Sequence, residues 1–274
     1  MNKKVKAILT VFLIGLMTLV SGCSERQLNK VSHHHYSNYQ SEKVKTKSTK
    51  ETPSQQLAES VLTSDIKQQL GNNIKYNGHG AFIIDDNKSS LNADRNVAPY
   101  AVNEIDKLGR PIQGDAFINK TSRQYRNRNE TGNGITNWKP QGFKQVKLSG
   151  AYSHLYDRGH LLGYANVGNV RGFNASEANE KNIATQTAWA NEARDENSTG
   201  QNYFENIVRK AQDQNKTLAY RVNDLYEGNN LVPSGALIQA KSTDGSVNFK
   251  VFVPNVQAGI KINYQNGSSE KSNN

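Results

Sequence analysis

The sequence predicts an α+β domain built on a central antiparallel sheet flanked by helices. Three observations carry this. Short stretches alternate apolar and polar side chains at period two, most clearly Leu218-Ala219-Tyr220-Arg221-Val222 and Ser246-Val247-Asn248-Phe249-Lys250-Val251-Phe252-Val253. Other stretches, such as Tyr203 to Asn215, have helical composition. The two kinds of segment do not alternate regularly along the chain, which disfavours a doubly wound parallel sheet.

The chain opens with Lys3, Lys4 and Lys6, followed by an apolar run from Ala7 to Val20. That run is shorter than the roughly 20 residues a spanning helix prefers. It ends in Val20-Ser21-Gly22-Cys23, which resembles a bacterial lipobox, and Cys23 is the sole cysteine. An uncleaved anchor, or a secretory signal with an incidental cysteine, are the alternatives; all three export the domain. A single cysteine excludes an intramolecular disulfide, so the fold rests on its own core. Residues 1–22 thus read as a targeting segment and 23–54 as a polar tether with too few aliphatics to offset chain entropy. His33-His34-His35 in the tether reads as a weak metal tract or as plain linker.

The folded part is expected over residues 55–265. Leu57, Val61, Leu62, Ile66 and Leu70 recur at helical spacing, and Gly71 ends that helix. Gly80 to Lys88 reads as a strand running into a turn. Arg110 to Ala116 leads into a helix or strand near Asp115. Gln145 to Ser149 alternates as a strand, with Ser153 to Gly163 as its neighbour. Ala184 to Arg194 has helical composition. Asn266 to Asn274 reads as a disordered tail, and no internal repeat is present.

A length of 274 residues suits one domain plus tails. Lys and Arg number 34 against 24 Asp and Glu, a net charge of +10. This excess favours a polyanionic partner, nucleic acid or an anionic membrane or wall surface, or serves solubility alone.

Chemistry concentrates in Asp157-Arg158-Gly159-His160. An imidazole is a general base near neutral pH, and a neighbouring guanidinium can hold a phosphate. A strand with a satisfied histidine and a surface ion pair is the other reading. His154 precedes His160 by six residues, which on one strand puts both on one face. Downstream, Asn182 suits an N-cap or a site. Asn191, in a packed helical context, can bond the backbone or give its oxygen to a hard cation. Glu205 and Arg209 stand at i, i+4, as a surface ion pair or as site residues.

Taken in order, Asp157-Arg158-Gly159-His160, Asn182, Asn191, Glu205 and Arg209 resemble the DNA/RNA non-specific endonucleases with a ββα-metal site, and in particular their membrane-associated streptococcal members. Gly132-Asn133-Gly134, the segment from Asp157 to Tyr164, that from Asn182 to Ala193, and Ser198 to Tyr203 share the likeness, which spans about residues 55–265. The resemblance implies that His160 activates water, that Asn191 is the sole protein ligand of a hydrated Mg²⁺ (Mn²⁺ as a substitute), and that Glu205 orients the metal's waters. Asp157 belongs to the catalytic motif, and Arg158, Asn182 and Arg209 would stabilise the phosphate and the metal shell. His154, Gln186, Arg123, Arg126, Arg128 and Lys144 are the candidate substrate contacts. Lys120, Lys139 and Lys147, interleaved with Tyr125 and Trp138, extend that basic stretch, which reads as a DNA-facing surface or a solvated basic face.

Some members of the family place the metal asparagine closer to the glutamate than Asn191 stands to Glu205. Glu192 to Thr199 then reads as an inserted loop, with Asn202 as the alternative ligand. The Glu192, Asp195 and Glu196 carboxylates in that insert are unfavourable beside a polyanion. The expectation is an exported, envelope-tethered monomer from a Gram-positive bacterium that cuts DNA and RNA to 5′-phosphate ends. A non-catalytic nucleic-acid-binding lipoprotein is the second reading, and a metal-binding envelope protein using the histidine tract is the third.

Overall fold

The computed structural model describes residues 51–134 and 136–272. The targeting segment, Cys23, the histidine tract and most of the tether lie outside them. Seven strands form one antiparallel sheet: β1 (Ile74–Tyr76), β2 (Phe82–Ile84), β3 (Tyr100–Ile105), β4 (Pro111–Ile118), β7 (Leu218–Leu225), β8 (Gly235–Ser242) and β9 (Asn248–Pro254). Their order is β1-β2-β9-β8-β7-β4-β3, with β3 at one edge. Two smaller pairs stand apart, β5 (Tyr156–His160) with β6 (Ile183–Thr187), and β10 (Ile260–Ile262) with β11 (Ser269–Lys271). The expected α+β class and antiparallel sheet are found.

The expected helix over 55–70 is two, α1 (Gln55–Glu59) and α2 (Ser64–Leu70). Ser54 and Thr63 each present a side-chain oxygen to a backbone N–H of the following turn, so two N-caps divide one apolar rhythm. The domain begins earlier than expected: the Tyr76 hydroxyl donates to the Pro53 carbonyl, and Glu51 accepts from the Ala151 N–H. It also ends later, because the stretch read as a disordered tail supplies β11. Gln145 to Ser149 is not a strand and makes only a single bridge, Lys147 to His154. Ala184 to Arg194 divides into β6 and the short helix α4 (Ala188–Glu192).

One core joins the sheet to the elements that carry the site. Trp189 of α4, Phe204 and Val208 of α5 (Gln201–Asp213), and Leu161 and Leu162 after β5 pack with Phe82, Tyr220, Ile238 and Phe252. Two glycines allow this. A Cβ on Gly114 of β4 would sit 2.6 Å from Leu162 Cγ, so the sheet backbone meets the residues just after His160. Gly80 has φ of +100°, and a Cβ there would lie 2.3 Å from the Trp189 ring. Truncating the fully buried Trp189 to alanine costs about 3–5 kcal/mol on the usual scale for buried aromatics. The helix α3 (Tyr164–Val167) lies in the connection from β5 to β6.

Candidate active site

β5 and β6 pair in a register that sets Asp157 opposite Gln186 and His160 opposite Ile183. Opposed residues share a face, so Asp157 and Gln186 project together. α4 follows β6 directly. Thr187 caps it, its Oγ1 accepting from the Ala190 N–H at 3.2 Å and donating to the Val256 carbonyl at 2.7 Å.

This turn brings Asn191 to Asp157, with Asn191 Nδ2 donating to Asp157 Oδ2 at 2.9 Å. A carboxylate can only accept, so the amide nitrogen must face Asp157. Asn191 Oδ1 is then left with no hydrogen-bond partner among the described residues. The other carboxylate oxygen, Asp157 Oδ1, accepts from His154 Nε2 at 2.6 Å, and His154 Nδ1 lies 3.1 Å from Ser153 Oγ. Glu192 Oε1 is 3.9 Å from the same His154 nitrogen. His154 therefore does not share a face with His160. It lies before β5 and holds Asp157, which in turn holds Asn191.

A second group gathers on α5. Glu205 Oε2 accepts from Arg209 Nη1 at 3.1 Å, and the two side chains are only 13% and 18% exposed, so this is not a surface pair. Arg209 Nη2 donates to Asn202 Oδ1 at 2.6 Å. That bond sets a guanidinium cation against the Asn202 oxygen, which disfavours Asn202 as the alternative metal ligand considered from the spacing. Gln201 Nε2 donates to Glu205 Oε1 at 3.1 Å and to the His160 carbonyl, while Gln201 Oε1 accepts from Gln186 Nε2 at 3.0 Å. Two glycines clear the space: a Cβ on Gly163 would lie 2.7 Å from both Glu205 oxygens, and one on Gly159 would lie 2.2 Å from Gln186 Oε1.

The His160 ring is buried and its Nε2 has no partner. Burial, and then the nearby Arg128 charge, push its pKa down to about 3, while hydrogen bonds to the Ala175 and Arg158 backbone oppose them. The imidazole is therefore neutral at physiological pH, as a proton acceptor must be.

Two expected catalytic residues have other duties. Asn182 is fully buried. Its Oδ1 accepts from Leu162 N–H and Asn103 Nδ2, and its Nδ2 donates to the Leu162 carbonyl. It is neither an N-cap nor open to a phosphate, but a bracket fixing the chain just after His160. The Arg158 guanidinium donates to the Trp138 carbonyl at 2.8 Å and the Thr136 carbonyl at 3.3 Å, over the Phe143 ring, which pins the preceding loop.

The basic stretch divides likewise. Arg123 is turned inward, bonded to the Arg209 carbonyl and to Asp213 with its side chain 9% exposed, so it is not a backbone contact for a polyanion. Arg128 pairs with Glu177 over the Tyr164 ring. Arg126 makes a loose 3.9 Å pair with Glu130, and Lys120, Lys139, Lys144 and Lys147 are exposed. In the supposed insert, Asp195 accepts from the Asn197 N–H and Ser198 accepts from the Trp189 indole, so the loop is packed against the body.

Gln201 escaped the sequence reading. The signal for it was its i, i+4 spacing to Glu205 on one helical face.

A family model described as DNA/RNA non-specific endonuclease matches residues 78–271. The structure is similar to the crystal structure of NucA from Streptococcus agalactiae with magnesium ion bound, at 40% identity and a TM-score of 0.75, over 81% of this chain and 99% of that one. The same protein with no metal bound matches at 39% identity and 0.71, over 78% and 100%. The Sda1 nuclease with bound zinc ion shares the fold at 18% identity and 0.53, over 72% and 98%.

Proposed function

The chain belongs to the DNA/RNA non-specific endonuclease family, and from that premise we propose that it uses His160 as general base and Mg²⁺ held at Asn191 to cut DNA and RNA, leaving 5′-phosphate ends. It is a hydrolase of nucleic acid that works with a divalent metal. The choice of Mg²⁺ rests on two things: the magnesium in the 40% identical NucA structure, and the donor set. The open Asn191 Oδ1 is a hard neutral oxygen, and Mg²⁺ keeps most of its water and needs few protein ligands. When bound, the cation offsets negative charge on the phosphate and leaving oxygen.

The chain's own groups do the rest. His160 Nε2, neutral and without a partner, takes the proton of the attacking water. Asp157 fixes the Asn191 amide so that its oxygen is the end presented. Glu205, held by Gln201 and Arg209, keeps lone pairs free to orient water. Exposed Lys120, Arg126, Lys139, Lys144 and Lys147 supply sequence-independent backbone contacts. Export follows from the charged and apolar segment before Cys23, with attachment to the bacterial membrane by a lipid on that cysteine or by an anchor.

The observation that carries this reading is an unprotonated, unpartnered imidazole at one end of β5 and, beside the other end, the amide oxygen of Asn191 on α4 that Asp157 orients. Plasmid cleavage by the purified protein, with Mg²⁺ or EDTA, tests it. Metal-dependent nicking that His160→Ala abolishes is expected. Cutting that persists in His160→Ala would contradict the assigned base, and equal cutting in EDTA would contradict the metal.

A further inference from the structure

We propose that Gln201 is a positioning residue for catalysis, setting the Glu205 carboxylate and the His160 backbone as one unit. The inference rests on the nuclease reading above and goes beyond it.

Gln201 is the first residue of α5 and is 2% exposed. Its Nε2 carries two hydrogens, and both are used: one toward the His160 carbonyl on β5, one toward Glu205 Oε1 a turn along α5. Its Oε1 accepts from Gln186 of β6, the residue packed over Gly159. One buried amide thus joins the general-base strand, its partner strand and the carboxylate. No other residue among the described ones bonds all three. The polarity matters as much as the contacts. Glu205 and a backbone carbonyl are both acceptors, so only a donor can stand between them, and the same group must also accept from Gln186. A primary amide meets all three demands, whereas a carboxylate or a hydrocarbon of the same length does not.

The local backbone supports the placement. Gly200, just before Gln201, cannot carry a side chain, because its Cβ would lie 2.7 Å from the Trp189 carbonyl and 2.8 Å from that of Ala190. The start of α5 is therefore pressed against α4, the helix that carries Asn191, and the Tyr203 N–H reaches the Ala193 carbonyl. The eight-residue connection from Ala193 to Gly200 delivers Gln201 to this point.

The test uses the full chain with Gln201→Met, of similar length and without the hydrogen bonds, and Gln201→Glu, which replaces the donor by an acceptor. Single-turnover cleavage is measured over a Mg²⁺ titration, with folding followed by circular dichroism. A group that orients a metal's surroundings typically costs about 10- to 100-fold in metal affinity or activity when removed. Gln201→Met should therefore raise the half-saturating Mg²⁺ concentration and lower the rate by that order, with KM for DNA within about twofold. Gln201→Glu should be worse near neutral pH, and its rate relative to wild type should rise on acidification, because a protonated carboxyl can donate once. A folded Gln201→Met with the wild-type metal midpoint and rate overturns the proposal, as does a rate loss that only tracks the folded fraction. Should Gln201→Glu not fold, Gln201→Met decides alone. Failure of the nuclease reading itself is separate, since wild type would then not cut under any of these conditions.

Discussion

The two ends of the β5–β6 pair differ in charge and in wetness. At the His160 end the ring is buried, its acceptor nitrogen is unpartnered, and burial with the Arg128 charge keeps it neutral. At the Asp157 end the groups are partly exposed, rich in carboxylate and cross-bonded, His154 to Asp157 and Asp157 to Asn191, with the Asn191 oxygen left open. A general base and a cation want opposite surroundings. A base must not be held protonated by nearby carboxylates, while a cation wants oxygen and negative charge. Two residues of strand, Arg158 and Gly159, lie between Asp157 and His160, so β5 keeps the two surroundings apart.

The largest expected effect comes from the dry end. His160→Ala should lower the cleavage rate by at least about 10²- to 10⁴-fold through loss of proton transfer, while the protein stays folded by circular dichroism. A smaller loss would move the base elsewhere. At the wet end, Asp157→Ala removes both acceptor oxygens, so Asn191 and His154 each lose their partner. We expect a fall of about 10- to 100-fold with a raised metal requirement, read in a metal titration. An unchanged metal midpoint would separate Asp157 from Asn191.

Salt dependence sharpens the contrast between open and committed cations. Lys144→Ala should reduce the slope of log affinity against log salt by roughly one contact, because Lys144 is exposed. Arg123→Ala should leave the slope unchanged and lower stability instead, because Arg123 holds the end of α5.

The pH dependence has a definite sign. The His160 pKa is about 3 when folded, against about 6.5 for a free imidazole. Between those values the unfolded chain binds a proton that the folded one refuses, so stability falls as pH drops from about 6.5 toward 3. His160→Gln should flatten that part of a urea-midpoint profile. Asp224 behaves oppositely: burial raises its carboxyl to about 8. The folded state then holds a proton that the unfolded one releases, and stability falls as pH rises from about 4 through 8. Asp224→Asn should raise the Tm at pH 8 and change it little near pH 4, read by thermal unfolding at the two pH values.

Part of this was legible in the sequence because its signals are local. The Asp157 to His160 motif, Asn191, and the Glu205–Arg209 pair are local patterns, and the clearest alternating strands became β7 and β9. What was not legible depended on partners far along the chain. β8 is buried along nearly its whole length, so it has no period-two signature. β3 and β1 are short or irregular in pattern, and exist through pairing with β4 and β2. Gln145 to Ser149 alternates, yet Gln145 spends its side chain on the Leu155 and Tyr156 backbone instead of forming a ladder. The roles of Arg158 and Asn182 inverted for a related reason: a polar residue beside a motif can serve the substrate or the loop that frames it, and only the fold shows which carbonyls lie in reach.

The most direct test of the two-ended account is Mn²⁺ binding, followed by electron paramagnetic resonance, on the full chain and two variants. The account predicts that His160→Ala binds the ion as wild type does and does not cut, whereas Asn191→Ala loses both binding and cutting. Loss of Mn²⁺ in His160→Ala, or its retention at wild-type affinity in Asn191→Ala, would contradict the division of labour between the ends.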